Sequence, residues 1–122
     1  EPNRPRKSSG SETTFSEDRV IPAEIEAGVL EMADDVWAWC EKNQSFGATA
    51  TVKIKYADFR IVTRSRTASR PITSRELLHE TSLALVRSIY PVTIGIRLVG
   101  VSVPNFSTND DAQLDLQLSQ SD

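Results

Sequence analysis

The sequence predicts an α+β domain in the order β-α-β-β-α-β, a four-stranded sheet with both helices packed on one face. Three observations carry that prediction. Residues 48–67, ATATVKIKYADFRIVTRSRT, alternate on both sides of a break at Ala57-Asp58, the period-two signature of a hairpin. Residues 22–43 repeat apolar side chains at helical spacing. A second helical stripe opens at Thr73-Ser74-Arg75-Glu76, the pattern of a capping box.

In chain order, residues 1–7 (EPNRPRK) read as a basic linker without periodicity. Ser8 to Phe15 is a short strand containing Gly10, which suits either close backbone approach to a phosphate or a bulge on an edge strand. Pro22 starts the first helix. Ile25, Val29, Met32, Val36 and Trp39 or Cys40 form its buried stripe as far as Asn43. Trp37 and Trp39 cannot share a face, so one belongs to the core and the other to its periphery. Glu24, Glu26, Glu31, Asp34, Asp35 and Glu41 form a solvated acidic surface rather than a convergent metal site. The hairpin follows, its second strand starting at Phe59, and Ala68 to Pro71 ends that strand. The second helix buries Leu77, Leu78, Leu85 and Ile89, and Pro91 stops it. His79, with no Cys or second His nearby, is a surface residue. Ile94 to Val103 is the last strand, interrupted by Arg97, and residues 104–122 read as a flexible polar tail. The folded domain therefore spans 8–103.

A chain of 122 residues is one domain with room for a single core. Its single cysteine, Cys40, excludes an internal disulfide and fits a reducing cytoplasm. On the apolar side of a helix it is buried rather than reactive. No apolar run approaches a membrane span and no signal-peptide pattern is present. The chain opens at Glu1 rather than Met, which suggests a domain excised from something longer.

A hairpin turning at Ala57-Asp58 pairs residues whose numbers sum to 115. Lys55 then faces Arg60, Thr51 faces Arg64 and Thr49 faces Arg66, on one open side with Lys53. Tyr56/Phe59, Ile54/Ile61 and Val52/Thr63 face a core. Like charges directly opposite cost roughly 0.2–1 kcal/mol. Two explanations fit: an anion docks there, or the basic strands are solvated and discourage edge pairing. Arg64 and Arg66, about 6.6–6.8 Å apart along the strand, suit a polyanionic backbone. The open face lacks aromatics for stacking bases, which favours a duplex backbone over single strands. Net charge is −3, yet seven of the fourteen Lys and Arg lie between Lys53 and Arg75, opposed only by Asp58. A local patch of that kind governs phosphate binding.

These residues carry a resemblance. KIKYADFRIVTRSRT resembles the strand pair of the little-finger domain of Y-family (translesion) DNA polymerases, closest to the bacterial polymerase IV branch. KSSGSETTF (7–15) resembles the segment by which that family passes into the domain, and IRLVGVSV (96–103) its last strand. Ser9 stands where the family usually has Ile or Val. The resemblance implies a domain that lies in the major groove of the primer–template duplex and holds its backbone without reading sequence. By resemblance, Lys7, Ser8, Gly10, Ser11, Arg64, Ser65, Arg66 and Arg97 would contact DNA; the register adds Lys53, Lys55 and Arg60. It also implies a tether to the catalytic part at residues 1–7. Residues 113–118 (QLDLQL) resemble a peptide that binds the bacterial sliding clamp, through Gln113, Leu114, Leu116 and Leu118.

The parent enzyme would transfer nucleotidyl groups with carboxylate-held metal, Mg²⁺ being expected. No catalytic or metal-binding residue is identifiable here, so the fragment itself is expected to be non-catalytic and without cofactor. The main rival is a stand-alone RNA-binding or protein-interaction module on the same scaffold, which stacking aromatics on the open sheet would favour. A small ferredoxin-like phosphatase needs a Gly-rich anion loop, and five glycines make that a poor fit.

Overall fold

A computed structural model describes residues 8–104. Six elements follow one another: β1 (Ser8–Arg19), α1 (Pro22–Asn43), β2 (Thr49–Tyr56), β3 (Ile61–Thr67), α2 (Arg75–Arg87) and β4 (Ile96–Pro104). The strands form one antiparallel sheet in the order β1-β4-β2-β3. β4 therefore lies between β1 and β2, and β2 between β3 and β4, so each helix connects two parallel strands with a third strand between them. α1 packs on β1 and β4, α2 on β2 and β3, and the helices pack on each other.

The alternation of β2 sets the core. Ala50, Val52 and Ile54 are buried under the helices, together with Val99, Val101 and Val103 of β4. α1 adds Ile25, Val29, Met32, Ala33, Val36 and Cys40. Gly28 lets α1 approach β1: a Cβ there would lie 2.8 Å from the Phe15 ring. Burial raises the Cys40 thiol pKa above its ordinary value. Both tryptophans are half-buried, Trp37 against Phe46 with ring centroids 5.5 Å apart, so neither is the simple core member of the pair.

Several boundaries differ from the sequence expectation. β1 runs to Arg19 rather than Phe15, and β4 extends to Pro104, one residue past the expected domain end. Gly10 pairs regularly with Ser102; the irregularity of β1 lies between Thr14 and Arg19. Ser74, not Thr73, caps α2, its hydroxyl accepting the Leu77 N–H at 3.0 Å. Leu77 consequently sits in the first turn and is exposed, while Thr81, Ser82 and Val86 complete the buried stripe. The helix ends at Arg87, ahead of Ile89 and Pro91.

The acids of α1 are not simply solvated. Asp34 accepts from Arg75 at 2.8 and 3.2 Å and pairs with His79 Nε2 at 2.6 Å. His79 is thereby a half-buried link between helices rather than a free surface residue. Nearer the start of α1, Glu26 holds Arg87 at 2.9 and 3.2 Å and accepts from the Tyr90 hydroxyl at 3.0 Å.

Candidate nucleic-acid interface

The hairpin register decides which side chains share a face. Cross-strand partners sum to 116, not 115: Val52 pairs with Arg64, Ala50 with Arg66, Thr51 with Ser65 and Lys55 with Ile61. The expected turn was one residue short. Ala57, Asp58 and Phe59 form a three-residue connection between Tyr56 and Arg60, closed by Tyr56 N–H to Arg60 O at 2.9 Å. Phe59 takes the left-handed conformation, φ 70°, where such loops usually place glycine.

The arginines of the hairpin therefore lie on the helix side of the sheet, in line with Ala50, Val52 and Tyr56. They escape burial because β3 is an edge strand. The predicted Lys55–Arg60 opposition does not exist. Arg60 lies over the Tyr56 ring at 5.1 Å, with Asp58 at 3.4 Å. Lys53 and Lys55 remain on the open side, so the expected single row of cations divides between the two faces of one edge.

That edge is where the two groups meet. The hydrogen-bonded pairs fall on even positions, as the Tyr56–Arg60 and Ala68–Ala48 bonds show, so the backbone groups of Ile61, Thr63, Ser65 and Thr67 point outward. Arg64 Nη1 curls round to donate to Thr63 O at 3.0 Å. Its charge is thus carried to the outer edge despite its origin on the helix side.

The open face beside this edge is low and hydroxyl-rich. Thr51 and Ser65 hydroxyls lie 2.7 Å apart, as do those of Thr49 and Thr67. Gly10, Ser102 and Thr51 fall in one cross-strand row, and Glu12, Gly100 and Lys53 in the next. Between these rows lies a shallow trough of about 330 Å³. Lys53 Nζ there is 3.2 Å from Glu12 Oε1, so a bound phosphate would compete with a resident carboxylate. Ser11 does not join this face: its hydroxyl donates to Asp35 Oδ2 at 3.0 Å, beneath the sheet. Arg97 sits in the register irregularity of β4 opposite Lys55 and Tyr56, 3.8 Å from Asp18. Its guanidinium lies 4.6 Å from the centroid of Phe59, a residue expected in the core but 60% exposed. The expectation of an open face without aromatics therefore fails at its rim.

The sequence placed Thr49 and Thr51 on the open side without assigning them a contact, and it left Thr67, Ser102 and Glu12 unmarked; alternation with buried residues was the available signal. Lys7 and the peptide 113–118 lie outside the described residues, and of Ser8 only the strand position is described. Among the described residues, no three His, Cys, Asp or Glu side chains converge to hold a metal. Asp34 and Asp35 are committed to Arg75, His79 and Ser11, so this donor set does not fit the Mg²⁺ that a polymerase parent would need. No described helix is long and apolar enough to cross a membrane.

Residues 6–116 match the family model of the impB/mucB/samB family C-terminal domain. The chain belongs to this family, the little-finger domain of Y-family polymerases. This little finger is 36% identical over 113 residues to DNA polymerase IV of Gluconobacter oxydans, covering 93% of this chain and 32% of that protein. With DNA polymerase IV 2 of Agrobacterium fabrum it shares 38% over 123 residues, covering 96% and 34%. It thus spans about a third of the length of these curated relatives. Among solved structures, the fold is that of the little-finger domain of PolIV in a complex with the beta-clamp processivity factor. The TM-score is 0.68 at 24% identity, covering 84% of this chain and 91% of that one. DinB from Sulfolobus solfataricus gives a TM-score of 0.71 at 16% identity, covering 84% and 29%.

Proposed function

We propose that this little finger holds the phosphate backbone of primer–template DNA for a translesion DNA polymerase, without reading base sequence. The observation that carries this reading is the β3 edge. Outward backbone groups there are flanked by Arg64 and Arg66 on one side and by Ser65, Lys53 and Lys55 on the other. Backbone N–H groups, hydroxyls and long cations are the donors that fix a duplex in place. Gly10 and Arg97 extend the same surface across the sheet, while Arg60 extends it toward the hairpin tip. Lys7 and Ser8 would join it from the linker, residues 1–7, that leads back to the catalytic core. Ser11 would act only indirectly, through its bond to Asp35. The middle of the open face carries glycine, serine and threonine rather than a row of aromatics, which disfavours the stand-alone RNA-binding alternative.

The whole enzyme would be a cytoplasmic DNA-directed DNA polymerase, with its metal-dependent chemistry supplied outside this non-catalytic domain. A solved PolIV little finger in a complex with the beta-clamp processivity factor supports a second contact, to a sliding clamp, and the resemblance of the tail peptide assigns it to Gln113, Leu114, Leu116 and Leu118.

Duplex binding measured by anisotropy at several salt concentrations tests the reading. Replacing Arg64 and Arg66 together by Ala should weaken unrelated duplexes alike and lower the log–log salt slope by about 2, roughly 0.9 per phosphate contact. Lys53→Ala with Lys55→Ala should lower it similarly if the open side shares the duplex. Unchanged slopes in both pairs would remove the hairpin from the interface.

A further inference from the structure

The β2–β3 tip presents an aromatic ring that packing of the core does not explain. Phe59 is 60% exposed, and Ile61, two residues further on and opposite Lys55, is 52% exposed. The backbone holds Phe59 at φ 70°, a conformation that costs a residue with a Cβ roughly 1–2 kcal/mol relative to the right-handed region. Glycine would remove that cost, yet the ring is there. Two cations lie against it, Lys55 Nζ at 5.4 Å and the Arg97 guanidinium at 4.6 Å from the centroid. Arg97 Nε is buried without a hydrogen-bond partner, so the guanidinium is held in place by the ring and by Asp18 at 3.8 Å. The result is a largely exposed ring with two cations drawn over it, at the end of the proposed phosphate track.

A base paired inside a duplex cannot use such a surface, because both of its faces are covered by neighbours in the stack. An unpaired base offers a free face, and its flanking phosphates suit adjacent cations. We propose that Phe59 is a stacking site for one unpaired nucleotide of DNA, with Lys55 and Arg97 holding the phosphates beside it. The inference adds to the duplex reading but stands on a separate observation, the exposed ring with its two cations.

The test compares three DNAs by anisotropy: a fully paired duplex, the same duplex with one extra unpaired nucleotide, and a short single strand. The native chain should bind the duplex with the unpaired nucleotide roughly fivefold or more tightly than the paired one, from the stacking of a single base. Phe59→Gly, which fits the left-handed backbone, and Phe59→Leu should reduce that ratio to near one; the ratio is the readout, because the ring also positions Lys55 and Arg97 and its loss shifts both affinities together. Phe59→Tyr should keep it. Melting temperatures of each variant verify the fold. Equal affinity of the native chain for the two duplexes, or a preference that survives in Phe59→Gly, overturns the proposal. Phe59-dependent binding to the single strand without duplex binding would sink the duplex reading and leave the stacking site standing. Binding to none of the three would overturn both.

Discussion

Glu12 is the residue that runs against the chemistry around it. Its carboxylate stands in the trough of the open face, 3.2 Å from Lys53 Nζ, where a DNA phosphate is proposed to lie. Both side chains are substantially exposed, so the pair itself adds little to stability. Its consequence is for binding. In the free protein Lys53 already has an anionic partner, and DNA must displace that carboxylate while approaching a negative charge. Arg60 with Asp58 and Arg97 with Asp18 repeat the arrangement at 3.4 and 3.8 Å. Glu12→Gln keeps the shape and removes the charge. It should raise duplex affinity by roughly two- to fivefold, the scale of an exposed charge pair, and leave the melting temperature nearly unchanged. Binding isotherms at low salt measure this; a variant that binds no better than the native chain would place Glu12 outside the DNA surface. The sequence made Lys53 conspicuous and left Glu12 unremarked, because its partner lies 41 residues away and on another strand.

The helices show the same divide between local and distant information. α1 was legible from Pro22 to Asn43 because a proline start and a continuous apolar stripe are local signals. The hairpin was legible as a hairpin, but its register was not. That register turns on Phe59 adopting a left-handed φ which nothing in its residue type announces. Nor could spacing show that Glu26 and Asp34 of α1 grip the two ends of the α2 segment. The hydrogen bond from Arg75, with help from His79, holds the Asp34 carboxyl below the ordinary carboxylate range against the opposing effect of burial. The Arg87 hydrogen bond, aided by Tyr90, does the same for Glu26. On the other side of the second link, burial first and the bond to Glu26 next push the Tyr90 phenol up to about 12. A carboxyl depressed in the folded state contributes stability that is complete above its unfolded pKa and is lost as pH falls through the folded value. Thermal melts should therefore hold steady from pH 7 down to about 4.5 and then decline. Asp34→Asn with Glu26→Gln should melt lower at pH 7 and show a shallower decline in acid. Parallel curves for the two proteins would mean that the links carry no pH-dependent stability. Tyr90 acts in the opposite direction: its contribution is complete below its unfolded value near 10 and fades as pH rises toward about 12.

At the scale of the whole chain, the question is how a protein of net charge −3 would serve the two partners proposed for it. Half of the basic residues lie between Lys53 and Arg75, whereas Asp110, Asp111, Asp115 and Asp122 load the tail. A duplex on the β3 edge would thus meet cations while the tail is repelled from the same phosphates. The tail carries its own apolar pattern, Gln113-Leu114-Asp115-Leu116-Gln117-Leu118. Three leucines on this segment can fill an apolar pocket of a sliding clamp, with Gln113 hydrogen-bonding at the rim. Because the peptide is covalently joined to the domain proposed to hold DNA, a clamp bound to it would stay near the duplex at high effective concentration. The two sites would then be additive in isolation and reinforcing only when clamp and DNA are present together. Deleting residues 113–118 should abolish micromolar clamp binding in a titration with clamp alone. Paired-duplex affinity and melting temperature should not move, since the deletion lies beyond β4 and the core of the described residues. With clamp already loaded on DNA, the same deletion should also weaken recruitment of the domain to that DNA. Equal clamp binding by intact and shortened chains would reduce the leucine pattern to chance and leave the folded domain as the only site of clamp contact.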